Sequence, residues 1–263
     1  MQSYDMKDNI LQFSPWKIEQ LTFAPEQEAE VEKQLAFSNG YISQYGFFEE
    51  YYSGDASASI FLKGIESPLK ANHTVSVRLH EERLNLATWK LDDFYRCLNR
   101  ESLKLERKMT ATSPQGDTLE IVSERQLSTE NPHFTDISYI IRSVNYSGPM
   151  SVLPLIGGQD MSQDWYPLQT DVALNYATIW LQSRQENVQV VVGMTYELEK
   201  NGVPTQVAPI RIEKKFIVGY SLTGAIKPGD EIRLRLRIFI TDSRNYPLSN
   251  LMDDALVALE KND

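Results

Sequence analysis

A two-residue alternation of apolar and polar side chains dominates the chain. Across residues 233–240 (Arg-Leu-Arg-Leu-Arg-Ile-Phe-Ile), Leu234, Leu236, Ile238 and Ile240 fall on one side and three arginines on the other. Only an extended strand separates side chains in that way. Residues 75–79, 102–106 and 137–141 follow similar patterns. Residues 188–192 (Val-Gln-Val-Val-Val) are almost continuously apolar, as expected of a strand covered on both faces. Between these runs lies turn chemistry. Asn201-Gly202 suits a two-residue hairpin because both positions tolerate positive φ. In Lys227-Pro228-Gly229-Asp230 the proline sets φ at the second position and glycine frees the third. Ser113–Gly116 and Ser147–Pro149 mark further connections. Many short strands at regular spacing predict a mainly β fold, a large antiparallel β-sandwich with few short helices.

Two segments break the alternation. Residues 25–34 (Pro-Glu-Gln-Glu-Ala-Glu-Val-Glu-Lys-Gln) predict a helix, with proline near its start and acids through its first turn. Further on, Asn250 can cap a helix whose Leu251, Ala255, Leu256 and Leu259 form one apolar stripe. That stripe must fold back on a sheet or lead into another domain. No stretch resembles a linker within the strand-rich part, which reads as one domain.

Composition narrows the partners. The 263 residues carry a formal net charge of −10, which disfavours nucleic acid and anionic membrane surfaces. The one cysteine, Cys97, allows no intrachain disulfide and fits a reducing compartment. The first residues lack the basic and apolar run of a signal peptide, and no segment approaches the ~20 apolar residues of a membrane span. A cytoplasmic protein is expected.

Candidate chemistry is sparse. His73, His80 and His133 have no second ligand at helical or strand spacing, so neither a metal nor a cofactor is assigned. Gly157-Gly158 reads as a tight turn or a close backbone approach. Glu49-Glu50, Glu81-Glu82, Asp92-Asp93 and Asp253-Asp254 invite a glycosidase reading. Strand neighbours point to opposite faces, however, so each pair reads as solvated surface acids, and no catalytic residue is assigned. More suggestive are Tyr41, Tyr45, Phe47, Phe48, Tyr51 and Tyr52, which crowd one segment with Gly40, Gly46 and Gly54. Such rings either stack on sugars or fill a core. Tyr51, Tyr52 and Trp165, the last in a Trp-Tyr-Pro loop, are candidates for stacking.

The same segment resembles a motif of glycoside hydrolase family 65, the maltose, kojibiose and trehalose phosphorylases, close to E-(S/T)-L-F-x-x-x-N-G-Y-x-G-x-R-G-x-x-E-E. Glu32, Asn39, Gly40, Tyr41, Gly46, Glu49 and Glu50 agree, while Ser43 and Tyr45 replace its glycine and arginine. Trp16-Lys-Ile, Leu84-Asn-Leu86, Glu124-Arg125-Gln-Leu-Ser128 with His133, and Leu155-Ile-Gly157 resemble further family segments in the same order.

The resemblance implies an N-terminal super-sandwich of galactose mutarotase type over residues 1–249, with 250–263 starting a helical linker. In the family an (α/α)6 barrel of the same polypeptide carries the general acid and takes inorganic phosphate as co-substrate. This chain would support that barrel, shape the mouth of a site for an α-linked disaccharide, and help form a homodimer. Asn39, Gly40, Tyr41, Tyr45, Gly46, Glu49 and Glu50 would form the substrate-proximal loop. A stand-alone carbohydrate-binding module is one alternative. Another is a mutarotase-like enzyme, using His80 or His133 with Glu82 or Glu124.

Overall fold

A computed structural model describes residues 10–50, 59–69, 74–80, 82–157, 162–205 and 207–260. The chain opens with β1 (Leu11–Phe13), β2 (Lys17–Gln20) and helix α1 (Glu28–Gln34), followed by β3 (Phe37–Ser38), β4 (Ile42–Gln44) and β5 (Ile60–Leu62). Next come β6 (Thr74–Leu79), β7 (Glu82–Arg83), β8 (Lys90–Asn99), β9 (Lys104–Thr112), β10 (Thr118–Leu127), β11 (Phe134–Ser143) and β12 (Gly148–Gly157). The last part holds β13 (Trp165–Val172), β14 (Tyr176–Ser183), β15 (Gln189–Lys200), β16 (Val203–Pro204), β17 (Ile210–Lys214), β18 (Ile217–Ile226), β19 (Glu231–Asp242) and helix α2 (Leu251–Glu260).

These strands form three antiparallel sheets. The large one runs β1-β2-β8-β9-β10-β11-β19-β15-β14-β13, with β16 hairpinned onto β15. A smaller sheet, β17-β18-β12-β6-β7, and the short β3-β4-β5 sheet complete the architecture. The mainly β sandwich is therefore as the alternation predicts. Leu234, Leu236, Ile238 and Ile240 face inward and share one core with Val77, Val152, Val190, Val192 and Leu222. The arginines between them point to the outer face. Asn201 and Gly202 adopt φ of 54° and 75°, the positive values the hairpin requires.

The helices are shorter than the sequence implies or differently used. Helix α1 starts at Glu28 without a side-chain cap. Glu28, placed by its acidity to complement the helix dipole, instead turns its carboxylate into the interior. Helix α2 folds back onto the outer face of the large sheet. Its Leu251, Ala255 and Leu259 pack with Phe134, Val191 and Phe239, whereas Leu256 stays half-exposed. Burying each leucine contributes about 1.5–3 kcal/mol, enough to hold a ten-residue helix that would be marginal alone. No helix among the described residues is long and apolar enough to cross a membrane.

Gly157 makes the close backbone approach expected of it, with φ +89° and the Phe216 carbonyl where a Cβ would sit. Gly116 has a similar φ, +91°, but open space around it. Gly157→Ala is expected to lower stability by at least about 2 kcal/mol, and Gly116→Ala by only ~1 kcal/mol. Urea midpoints of the two variants check this; equal losses would contradict the crowding at Gly157.

Candidate functional site

The loop that carries the family-like motif is built in two layers. Its tip is the turn between β3 and β4. The Asn39 side-chain oxygen accepts from the backbone N–H groups of Tyr41 (3.2 Å) and Ile42 (2.9 Å), closing an Asx turn around Gly40. The Asn39 amide nitrogen donates to the carbonyls of Ser128 (2.8 Å) and Pro132 (3.1 Å), clamping the turn to the β10–β11 connection. Tyr41 donates its hydroxyl to Asp242 Oδ2 at 2.6 Å and lays its ring against His133, centroids 4.3 Å apart. Arg244 in turn grips Asp242 through Nε (2.8 Å) and Nη2 (2.9 Å), joined by the Asn245 amide at 3.2 Å. His133 Nδ1 lies 2.8 Å from the Ile240 carbonyl, which can only accept, so that nitrogen carries a proton. Burial and the adjacent Asp242 push the Tyr41 phenol above its ordinary range. Burial would raise the Asp242 carboxyl, but hydrogen bonds from Arg244 and Tyr41 outweigh it and hold the group low.

Beneath the tip, residues 46–50 leave strand geometry and turn their side chains into a buried ionic lattice. Arg107, from β9, donates through Nη2 to both oxygens of Glu50 (2.8 and 2.7 Å) and to Glu49 Oε2 (3.1 Å). Arg125, from β10, donates to Glu49 Oε1 at 2.6 Å and to the Phe47 carbonyl at 2.8 Å. Tyr139, from β11, donates to Glu50 through a short hydrogen bond. A neighbouring set ties in α1: Arg96 of β8 reaches Glu28 (2.7 Å), Gln20 (2.9 Å) and the Gly46 carbonyl (2.8 Å). Phe47 and Phe48 lie under the guanidinium groups of Arg125 and Arg96, at 4.0 and 4.4 Å.

This lattice corrects the reading of Glu49 and Glu50 as surface acids. They are 2% and 1% exposed, because off a strand two adjacent side chains can point the same way. Desolvation alone would raise the Glu49 carboxyl; Arg125 and Arg107 overcome it and bring it down to about 2. It therefore stays ionised at neutral pH and has no proton to give. Of the motif residues expected near substrate, Asn39, Gly40, Tyr41 and Tyr45 lie at or near the surface, whereas Gly46, Glu49 and Glu50 are buried beneath them. Tyr45 packs edge-on against Phe61 at 5.4 Å.

Trp165 also departs from expectation. It begins a strand, is fully buried, and donates its indole N–H to the Pro68 carbonyl at 2.9 Å, so it offers no face for stacking. Tyr51, Tyr52 and Gly54 lie outside the described residues. Of the histidines and acids considered for a mutarotase-like centre, His133 lies against Tyr41, His80 against Tyr146, and Glu124 pairs with Lys104 at 3.5 Å.

Arg96, Arg107, Tyr139, Asp242 and Arg244 were not singled out from the sequence. A signal existed, because Arg107 and Arg125 occupy the inward phase of strands whose other inward residues include Leu105, Met109, Ile121 and Leu127. An arginine in that phase needs a buried acid.

Tyr41→Phe is expected to cost ~1.5–3 kcal/mol, the value of a hydrogen bond to a carboxylate, measured by urea unfolding at neutral pH. Acid unfolding tests the lattice. The Glu49 carboxyl sits lower in the fold than its ordinary 4.5, so its stabilisation is complete above that value and is lost as pH falls toward about 2. In Glu49→Gln that part of the pH dependence should vanish, with a loss of about 3–5 kcal/mol at neutral pH. A variant whose stability falls between pH 4.5 and 2 as steeply as the parent chain's would contradict the assignment.

Comparison with known proteins accords with this geometry. The profile described as glycosyl hydrolase family 65, N-terminal domain, matches residues 18–263. The α,α-trehalose phosphorylase of Thermoanaerobacter brockii is 26% identical over 176 residues, covering 58% of this chain and 23% of the relative. The kojibiose phosphorylase of Caldanaerobacter subterraneus subsp. tengcongensis is 24% identical over 222 residues, covering 76% of this chain and 29% of the relative. A solved structure described as a kojibiose phosphorylase from the human microbiome superposes with a TM-score of 0.82 at 16% identity, over 96% of this chain and 36% of that one, which establishes the shared fold. The chain thus spans about a quarter of the length of its curated relatives. It belongs to glycosyl hydrolase family 65, of which it is an N-terminal domain.

Proposed function

We propose that this sandwich is the non-catalytic N-terminal domain of an inverting phosphorylase acting on an α-linked disaccharide. A helical barrel of the same polypeptide supplies the general acid and takes inorganic phosphate as co-substrate. The observation that carries this reading is how the motif spends its carboxylates. Glu49 and Glu50 are bound to Arg107 and Arg125 in the interior, where neither can protonate a leaving oxygen or receive a nucleophile.

What the loop offers outward is a rigid tip, Ser38 to Tyr41, pinned from below by Asn39, Asp242 and the arginines. A rigid tip suits positioning, since a site mouth must hold its partners within a fraction of an ångström. Helix α2, already docked on the sheet, leads toward the barrel as a linker. In the same reading the exposed Phe13 (63%) and Trp16 (62%), on the hairpin at the sheet edge, contribute to a homodimer contact.

The purified chain is expected to release no sugar phosphate from kojibiose, trehalose or maltose with inorganic phosphate. Expressed together with the helical barrel of its polypeptide, it should raise that barrel's solubility and turnover. Phosphorolysis by the chain alone, or a barrel fully stable and active without it, would contradict the proposal.

A further inference from the structure

The outer face of the large sheet carries a groove of about 360 Å³, well away in sequence from the tip at 38–41. It starts one residue row beyond the apolar patch that α2 covers, where the Arg237 guanidinium lies 4.5 Å from the Phe134 ring. The pairing registers array its side chains in two rows across β10, β11, β19 and β15. One row is Gln126, Asp136, Arg237 and Thr195. The next is Glu124, Ser138, Arg235 and Glu197. Strands stand ~4.8 Å apart and same-face residues about 6.8 Å along each strand, so the array presents polar groups on a grid with the dimensions of a sugar ring.

Two properties of this array select a ligand class. First, its cations are already matched: Lys104 pairs with Glu106 and Glu124, Arg235 with Glu197 and Glu199, and Arg237 with Asp136. A groove whose every cation has an acid beside it gives no positive field to draw in an anion. Second, its floor has unused hydrogen-bonding capacity. Asp136 meets Arg237 Nε only at 3.8 Å, beyond hydrogen-bond reach. Among the described residues, no hydrogen bond engages the Asp136 carboxylate or the hydroxyls of Ser138 and Thr195. A carboxylate that only accepts, beside hydroxyls that donate and accept, matches vicinal hydroxyl groups, which also do both.

We propose that this groove binds a neutral polyhydroxylated ligand, one or two sugar rings in size, as a site separate from the loop at 37–50. The inference does not rest on the role proposed for that loop. The groove is shallow and solvated, so ligand hydroxyls replace waters of similar hydrogen-bonding value and affinity is modest, with Kd of about 1–10 mM.

The test is a titration of the isotope-labelled, assigned chain with glucose, maltose, trehalose and kojibiose, using inorganic phosphate as the anionic control and following amide shifts. Saturable shifts at Asp136, Ser138 and Thr195 with at least one sugar, and none with phosphate, are expected. Asp136→Ala/Thr195→Val should weaken binding at least about fivefold while circular dichroism stays native, and Glu120→Gln, elsewhere on the outer face, should leave it unchanged. If the double variant does not fold, Ser138→Ala alone should weaken binding about twofold or more, and no change would overturn the proposal. So would the absence of saturation up to ~50 mM of every sugar, or shifts confined to residues 39–41.

Discussion

Everything distinctive about this sandwich hangs on three buried arginines. Arg96, Arg107 and Arg125 project from adjacent strands of the large sheet into a space that an ordinary sandwich would fill with aliphatic side chains. A guanidinium cannot be left there without an acid, since an uncompensated buried charge costs several kcal/mol. The acids come from outside the sheet: Glu28 from α1, Glu49 and Glu50 from the irregular segment after β4. Well-packed apolar residues would often stabilise such a core equally well or better. What the ionic version adds is specificity of position, because Gly46, Glu49 and Glu50 of one short segment between them meet arginines from three adjacent strands.

That constraint links parts of the chain remote in sequence. The motif around Asn39–Glu50 and the segment Glu124–His133 sit some eighty residues apart. They meet through Arg125 on Glu49, the Ser128 carbonyl on Asn39, and His133 on Tyr41. Two stretches with separate family resemblance thus form one structural unit, in which the second fixes the height and orientation of the first. The loop tip then inherits the rigidity of the sheet core, a property that suits a surface set against another domain better than one that must close over a ligand.

Much of the fold was legible because period-two alternation has one physical cause. Inward apolar residues in β19 and hairpin geometry at Asn201-Gly202 follow from local rules, whereas the crowding at Gly157 comes from Phe216, beside the strand paired with β12. The site was less so. Adjacency told against Glu49 and Glu50 sharing a side only while the segment was taken as a strand; once the backbone leaves that geometry, the parity argument fails. Trp165 misled because a Trp-Tyr-Pro sequence looks like a loop, yet Pro167 sits on an edge strand beside a register shift, where its missing N–H is tolerated. Asp242 lies in phase with Ile238 and Ile240 at the end of β19, just past the alternating run, and nothing in the local sequence sets it apart. Only the fold brings Tyr41, 201 residues away, to its carboxylate.

The claim that the arginine–glutamate lattice fixes the motif loop is tested most directly by a double-mutant cycle on Glu49 and Arg125. Glu49→Gln, Arg125→Met and the double variant are unfolded in urea at neutral pH. If the two groups form one buried unit, the second substitution should cost far less once the first is in place, giving a coupling energy of about 2–3 kcal/mol. Losses that simply add, with coupling below ~0.5 kcal/mol, would mean that the pair does not hold the loop.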